Sequence, residues 1–467
     1  MSNVKAASAV KVNPVGAFFK ALGNDLKELG VTFVKGDFAT KISFLIMGFG
    51  QFIRGQIVKG IAFLAAEVLF FYYLFTIGLG YIKKFNTLGT VQTQKIRRKT
   101  VYGDNSFMIL LFGILTIIAI IAFIFVWRLN VKENYNEEKI LRAGKALPKN
   151  KKVLASLLDQ NFDKTLLTLP VAGIFVFTVL PIIFMICVAF TNYDKNHQSP
   201  TNLFTWTGLK NFKELVSFGG DGFGSTFFKV LLWTLVWAFF ATFIDYFIGI
   251  AVAMLINKKG IKFKKLWRTI LVLTIAIPQF ISLLYVSKMF AADGLINGLL
   301  MKWGWISKAI PFWTNPTLAK ITVIVINIWI GIPYMMLIAT GLLMNIPADL
   351  YESARIDGAN AWEMFRYITL PYMLFVTGPF LLTTYTSNLN NFNVIYLLTG
   401  GGPQSIKFAG NAGQTDLLVT WLYKTTVNDT NYRMAAVIGI MVFVVTAVIS
   451  LIVYNMLPSV KDEEGFQ

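Results

Sequence analysis

Eight long apolar stretches constrain the fold of this chain more than any other feature of its sequence. Each approaches or exceeds the roughly 20 residues that a helix needs to cross the hydrocarbon core of a membrane. Inside a membrane the backbone must satisfy its own hydrogen bonds, so such stretches fold as helices. The predicted spans cover residues 59–82, 106–128, 165–190, 227–255, 269–290, 319–343, 372–390 and 433–456.

Composition supports the same class of protein. Hydrophobic residues make up 55% of the 467 residues and charged residues only 14%, whereas soluble domains carry about 25% charged residues. The sequence therefore predicts an all-α polytopic membrane protein with about eight transmembrane helices.

The formal charge of +19 does not indicate a nucleic-acid partner, because the basic residues cluster in short loops between apolar spans. Loop 256–268 has six basic residues and no acidic one, so the positive-inside rule predicts that it is cytoplasmic. Two spans further on, segment 345–371 should lie on the same side. The same count places loop 83–105 on the outer side of the membrane, although this loop is also basic. The sequence therefore does not decide on which side of the membrane this loop lies.

The chain lacks the residues for several kinds of chemistry. It has one cysteine, Cys187, and one histidine, His197. A metal cluster of several histidines and cysteines is therefore excluded. A histidine-based catalytic triad is also excluded, because the single histidine lies in a polar loop. No Walker A sequence for holding nucleotide phosphates occurs in it. We expect no enzyme activity and no cofactor in this chain; ATP and Mg²⁺, if used, should be bound by partner subunits.

Segment 345–371 is polar, with helical signals, between two spans. Pro347 suits the first turn of a helix, and Gly358 can adopt the left-handed conformation that ends one. A second helical run, 359–368, should be stopped by Leu370 and Pro371. The segment is predicted to form a helix-turn-helix on the membrane surface.

The same segment resembles the EAA motif of bacterial ABC import permeases, which reads E-A-A, three residues, G, nine residues, I-x-L-P. This chain departs from the motif only at Ser353. In that family the loop docks into the ATP-hydrolysing subunit. The alternative is an ordinary loop helix with Glu352 and Arg355 paired. The resemblance implies that the ATPase-coupling residues are Glu352, Ser353, Ala354, Gly358, Ile368, Leu370 and Pro371.

The seventh predicted span, 372–390, ends in neutral polar side chains. Hydroxyl and carboxamide groups both donate and accept hydrogen bonds, which suits a neutral polyhydroxylated solute such as a sugar. On one continuous helix Thr384, Ser387, Asn388 and Asn391 would share a face. The alternative is hydrogen bonding between helices, worth about 0.6 kcal/mol per bond.

Ionisable residues are rare inside the predicted spans, and Glu67 and Asp245 are the clearest. Two isolated acids on separate helices make a poor proton relay. We therefore expect Asp245 to face a partner helix, and the sequence disfavours a proton-coupled carrier.

Three segments narrow the resemblance to the MalF family of maltose/maltodextrin permease subunits, whose core has the MetI-like fold. They are NLNNFNVIYLLTGGGPQ at 388–404, AFTNYD at 189–194 and NIWIGIPYMML at 327–337. The similarity runs from about residue 165 to the end of the chain. Ser387 stands at a position where the MalF-family subunit of enteric bacteria has an aromatic residue. The resemblance implies sugar contacts at Tyr334, Thr384, Ser387, Asn388 and Asn391.

The resemblance also implies an assembly in the bacterial plasma membrane. Its partners would be a second homologous permease subunit of the MalG type, two ABC ATPase subunits, an extracellular maltose/maltodextrin-binding protein and membrane lipid. The implied function is the membrane-spanning permease of an ATP-driven maltose/maltodextrin importer. Alternatives are an ABC permease for another oligosaccharide or a glycerol-phosphate-type solute, or a secondary sugar carrier.

The predicted organisation has four parts. Residues 1–58 form a cytoplasmic or interfacial segment, and 59–164 hold two spans with a basic loop and a cytoplasmic linker. Residues 165–457 form the permease core of six spans, and 458–467 a cytoplasmic tail.

Overall fold

The computed structural model describes residues 14–96, 99–148, 150–199, 201–217, 222–258 and 260–457. The predicted tail 458–467 and the first 13 residues of the predicted N-terminal segment lie outside these ranges. The chain divides into two compact units. The first unit is Met1–Cys187 with Gln198–Thr205, and the second is Val188–His197 with Trp206–Gln467.

The first unit is mainly helical. Its helices are α1 Pro14–Lys35, α2 Phe38–Ile42, α3 Phe49–Ile53, α4 Ile57–Tyr73, α5 Leu79–Phe85, α6 Ser106–Arg142, α7 Asn150–Ser156, α8 Phe162–Ile174 and α9 Leu180–Val188. The π-helical turns Leu74–Gly78 and Phe175–Val179 join α4 to α5 and α8 to α9. An antiparallel hairpin of β1, Gln94–Ile96, and β2, Lys99–Val101, lies in the basic loop and was not predicted.

A polar network shapes the short segment between α1 and α4. The Arg54 side chain, only 4% exposed, donates to Asp37 Oδ1 at 2.8 Å, Thr40 Oγ1 at 2.7 Å and Asn134 Oδ1 at 2.8 Å. Burial acts to raise the pKa of Asp37, but hydrogen bonds from Thr40 and Arg54 outweigh it and hold that pKa below its ordinary value. The sequence predicted only a cytoplasmic or interfacial segment here; the structure has two short helices fixed by buried polar groups.

The second unit holds the remaining helices. They are α10 Lys210–Val216, α11 Phe223–Asn257, α12 Lys264–Ala276, α13 Gln279–Met289, α14 Leu295–Lys302, α15 Pro316–Leu343, α16 Ala348–Ile356, α17 Ala361–Met364, α18 Leu370–Leu389, α19 Phe392–Thr399, α20 Leu418–Val427 and α21 Tyr432–Met456. The π-helical turn Phe365–Thr369 joins α17 to α18.

Helices α11 and α15 pack closely at the centre of the second unit because glycines face the partner helix. A methyl group on Gly249 would lie 2.5 Å from Met335 Cβ, and one on Gly331 would lie 2.0 Å from Asp245 Oδ2. Small residues allow such close approach between membrane helices. Helix α11 also contacts α18, where Tyr246 and Thr377 share a hydrogen bond of 2.8 Å.

Within the described ranges, seven helices are long and apolar enough to cross a membrane, and α12 with α13 brings the total to eight when counted as one bent span. The predicted all-α polytopic fold is therefore confirmed. The predicted span 269–290 is not one continuous helix, because the chain bends by 92° between α12 and α13. Ile277 is extended, with ψ of 126°, as expected for a residue before a proline, here Pro278.

Candidate coupling segment and translocation pathway

The candidate coupling segment, residues 345–371 and called the coupling segment below, forms the predicted helix-turn-helix. Its first turn is built by Gly358. This residue has a φ of +84°, and no other group lies within 4 Å of a Cβ added to it, so glycine is needed for conformation rather than space. The Ala359 N–H donates to the Ala354 carbonyl at 2.9 Å, and the Gly358 N–H donates to the Arg355 carbonyl at 3.1 Å. These two bonds form a Schellman motif that ends α16.

The second helix of the coupling segment begins with a capping box. The Asn360 side chain accepts from the N–H groups of Trp362 and Glu363, both at 3.0 Å, and Glu363 Oε2 accepts from the Asn360 N–H at 2.8 Å. The sequence pattern N-x-x-E contained this signal. The hydroxyls of Tyr351 and Thr369 also share a hydrogen bond of 2.8 Å, which joins α16 to the start of α18.

The prediction that Leu370 and Pro371 stop the second helix is wrong. The helix starting at Ala361 passes through the π-helical turn Phe365–Thr369 and continues to the end of α18. Pro371 occupies the second position of α18. Proline removes an N–H and clashes with the carbonyl four residues earlier, and the wider turn just before it changes that local register.

The coupling segment exposes apolar side chains. Leu350 is 50% exposed, Ile356 86%, Trp362 66% and Tyr367 72%. Glu352 and Ser353 are also exposed, whereas Ala354 and Ile368 are partly buried. No ion pair joins Glu352 to Arg355 in the described part of the chain, so the pairing expected of an ordinary loop helix is absent there. Such a surface is suited to contact with another protein.

The polar residues predicted to share one helical face lie on two helices. α18 ends at Leu389, and Asn391 is the N-cap of α19, where its side chain accepts from the Val394 N–H at 3.3 Å. Thr384, Ser387 and Asn388 remain on α18. The prediction of a single continuous helix through Asn391 is therefore wrong.

Asn388 lies at the centre of the polar set. Its Nδ2 donates to Thr242 Oγ1 of α11 at 3.0 Å, and its Oδ1 accepts from Asn391 Nδ2 at 3.4 Å. The Trp237 indole donates to its backbone carbonyl at 3.1 Å. Thr384 donates to the Phe380 carbonyl within its own helix at 2.9 Å, and Ser387 is exposed. Asn388 therefore links α18 to α11, and it also contacts Asn391, which the resemblance likewise predicts to bind the sugar.

Tyr334 belongs to α15 and lies next to the bend between α12 and α13. A cavity of about 390 Å³ is lined by Tyr334, Trp329 and residues on both sides of the bend, including Gln279 and Ser282. Trp329 and Tyr334 are 53% and 54% exposed. The lining of this cavity does not include the polar residues of α18 and α19. Sequence reasoning missed Trp329, although it lies in the same motif as Tyr334, and the bend that creates the cavity.

Asp245 faces helix α15, as expected. Asn327 Nδ2 donates to Asp245 Oδ2 at 3.3 Å, and Gly331 gives the carboxyl group room. The carboxyl group thus lies at a helix–helix contact, with a neutral amide as its hydrogen-bond donor.

Comparison with known proteins identifies the family. Residues 245–462 match the family model for the binding-protein-dependent transport system inner membrane component. The chain is 35% identical over 431 residues to the maltodextrin transport system permease protein MalC of Streptococcus pneumoniae, covering 90% of this chain and 96% of MalC. It is also 35% identical over 422 residues to the galactooligosaccharides transport system permease protein GanP of Bacillus subtilis, covering 90% and 97%. The similarity thus extends well before residue 165, further than expected.

A crystal structure of a bacterial ABC transporter involved in the import of the acidic polysaccharide alginate shares the fold. The TM-score is 0.52 at 23% identity, over 65% of this chain and 98% of the other. Together with the membrane-spanning helices, these similarities identify a multi-pass bacterial plasma-membrane protein that acts in transport and is not an enzyme. The chain belongs to the permease subunits of bacterial binding-protein-dependent sugar importers of the ABC class.

Proposed function

We propose that this subunit conducts maltodextrins, with Tyr334, Thr384, Ser387, Asn388 and Asn391 contacting the sugar. The proposal is supported by the similarity to maltodextrin permeases and by the neutral chemistry of these side chains. Residues 370–399 contain no Lys or Arg, as suits an uncharged solute. A phosphate-bearing solute would favour a cationic partner.

The observation that carries the proposal is the adjacent pair of carboxamides, Asn388 and Asn391. A carboxamide group both donates and accepts hydrogen bonds, so the pair can bind a sugar hydroxyl whether that hydroxyl acts as a donor or as an acceptor. The half-exposed rings of Trp329 and Tyr334 offer apolar faces to the carbon-bound hydrogens of a pyranose. Neutral hydrogen bonds and ring contacts keep the solute weakly held, as passage through a membrane requires.

We further propose that two ATPase subunits, which bind ATP and Mg²⁺, act on the coupling segment. A second, homologous permease subunit would complete the pathway, and an extracellular binding protein would deliver the sugar. In this scheme the closing of the ATPases moves α16 and α17. The continuous helix from Ala361 through α18 carries that movement toward Asn388. The ATPases thus shift the population between inward-open and outward-open states.

Galactooligosaccharides are the second candidate solute, because GanP is as similar to this chain as MalC is. They are also neutral and rich in hydroxyl groups, so the polar set accepts either class. A secondary sugar carrier is disfavoured, because it would have no use for a coupling segment that exposes apolar side chains on a capped helix pair.

Uptake of labelled maltotriose and galactotriose in a strain deleted for this gene tests the proposal. The intact gene should restore maltotriose uptake, and a substitution that inactivates the partner ATPase should abolish it. Restoration of galactotriose uptake alone would support the second candidate. Uptake that persists without a working ATPase would contradict the importer mechanism.

Three variants separate sugar contact from helix packing. Asn388→Ala should lower uptake by about tenfold or more, because a buried sugar hydroxyl loses its partner. Thr242→Val removes the same hydrogen bond to α11 but keeps the carboxamide, so uptake should be largely retained. Asn390→Ala is the matched control, because the Asn390 amide donates to the Thr386 carbonyl of its own helix at 3.3 Å. Equal losses in Asn388→Ala and Thr242→Val would assign Asn388 to packing alone.

A further inference from the structure

A cavity in the first unit lies at one end of three membrane spans. It has a volume of about 840 Å³, within the range of cavities that hold small molecules. Lys59 comes from the first turn of α4, Glu133 from the last third of α6 and Lys164 from the first turn of α8. Residues on α7 complete its wall.

Hydrogen bonds next to this cavity join the chain around the start of α4 to the chain around the start of α7. Asn150 Nδ2 donates to the Gly55 carbonyl at 3.1 Å, and Asn150 Oδ1 accepts from the Val58 N–H at 3.3 Å. The Gln56 amide donates to the Pro148 carbonyl. The cavity is therefore a built part of the unit.

The mouth of the cavity carries excess positive charge. Lys59 is paired with Glu133 at 3.0 Å and with Glu137 at 3.4 Å. Lys152 has no acidic partner within 4 Å in the described ranges, and Lys164 donates only to Asn161 Oδ1, at 3.1 Å. Two exposed ammonium groups thus face a space shared with the amide of Gln160.

Below its charged mouth the wall of the cavity carries no charge. Its lining follows α8 from Lys164 to Ala172, a rise of roughly 12 Å along the helix. Leu169 and Ala172 line this part beside the hydroxyl groups of Thr165 and Thr168, and Leu169 is 80% exposed. Cationic groups at the end of a span, above an uncharged wall that includes an exposed leucine, match a phosphate group joined to acyl chains.

We propose that this cavity binds an anionic phospholipid, with Lys152 and Lys164 contacting the phosphate and Leu169 contacting the acyl chains. Counting spans puts this end of α8 on the same side as loop 256–268, whose charge predicts the cytoplasm. The cytoplasmic leaflet carries the negative lipids that basic clusters between transmembrane helices bind. The site is independent of which sugar the importer carries.

Native mass spectrometry of the full-length protein, titrated with phosphatidylglycerol or phosphatidylcholine, tests the site. Lys152→Gln/Lys164→Gln should weaken phosphatidylglycerol binding about 25-fold, because each lysine near an anionic lipid contributes roughly fivefold. Lys145→Gln/Lys151→Gln is the matched control, since it removes the same charge from exposed lysines outside the lining. Equal weakening by both pairs, or equal binding of phosphatidylcholine, would overturn the proposal.

A third variant distinguishes a lipid from free phosphate. Leu169→Gln should weaken phosphatidylglycerol binding several-fold while keeping both lysines. Inorganic phosphate at millimolar concentration should not displace the lipid. Displacement by phosphate, or no effect of Leu169→Gln, would indicate an anion site without acyl contact. Loss of the lipid when the second permease subunit is present would instead assign the cavity to a subunit interface. Each of these three results would contradict the lipid site.

Discussion

Two segments of the second unit lie between membrane helices but are held in opposite ways. The coupling segment is shaped by bonds among its own residues, such as the capping box of Asn360, and it exposes Ile356. Segment 400–417 is tied into the core instead. Trp233 donates to the Thr415 carbonyl at 3.1 Å, and the fully buried Asp416 accepts from Lys424 at 2.6 Å.

This difference predicts different consequences of mutation. A segment that holds its own conformation keeps its fold when its surface changes, so substitutions there should affect partners more than stability. A segment whose conformation depends on buried polar groups should lose stability when one of them is removed. The following predictions test this contrast, in order of decreasing effect on stability.

Lys424→Met should have the largest effect. It leaves the Asp416 carboxylate buried without its cation, which costs roughly 3–5 kcal/mol in comparable buried pairs. Burial already raises the pKa of Asp416, an effect that Lys424 and the Gly413 N–H oppose. Thermal unfolding of the purified protein in detergent should show a much lower midpoint. Lys407→Met, which changes an exposed lysine of the same segment, should shift it little.

The double variant Asp416→Asn/Lys424→Met provides the counter-test. It removes both charges and keeps an oxygen to accept from the Gly413 N–H, a bond of 2.6 Å. Most of the lost stability should return, because no uncompensated charge stays buried. A double variant as unstable as Lys424→Met would show that packing, and not charge, dominates at this site.

Gly358→Val should have an intermediate effect, confined to the coupling segment. A β-branched residue at a φ of +84° costs roughly 1–2 kcal/mol, so α16 would change its orientation relative to α17. The protein should still insert and unfold at a similar temperature, but retain less ATPase during co-purification. Gly358→Asn is the control, because asparagine tolerates this conformation. Normal ATPase recovery with Gly358→Val would count against docking through this turn.

Asn360→Ala should have a smaller effect of the same kind. Loss of the N-cap costs about 1 kcal/mol, and it releases the N–H groups of Trp362 and Glu363. Hydrogen exchange at residues 361–364 should become faster, while segment 400–417 stays protected. Asn345→Ala, an exposed asparagine in the same segment, should change neither region. Faster exchange in both regions would mean that the coupling segment is not held locally.

Local patterns predicted much of this molecule because local interactions determine those parts. The long apolar stretches gave the spans, and Gly358 gave the turn of the coupling segment because its conformation depends on one residue. The same logic extends to Asn360, whose capping box is a four-residue pattern. The proposed pathway residues could be selected because their chemistry is visible in the sequence.

Contacts between different elements were missed. The bond between Tyr351 and Thr369 joins two helices, and the pair of Asp416 with Lys424 joins a loop to a helix. Proline also had opposite outcomes. Pro278 marks a bend of 92°, whereas the helix passes through Pro371 after a π-helical turn. Which outcome occurs depends on whether neighbouring helices and turns satisfy the freed backbone groups, and the local pattern around a proline does not show this.

Ile356→Ser should change stability least and separates the two segments most clearly. The side chain is 86% exposed, so its loss should alter the free energy of unfolding by less than about 0.5 kcal/mol. Because its apolar surface is free for a partner, ATPase recovered with the purified permease should fall several-fold. Ile406→Ser is the matched control, since Ile406 is a fully exposed isoleucine in segment 400–417. If both variants reduce ATPase recovery equally, exposure of an apolar side chain does not identify the docking surface. A loss limited to Ile356→Ser assigns the ATPase contact to the coupling segment.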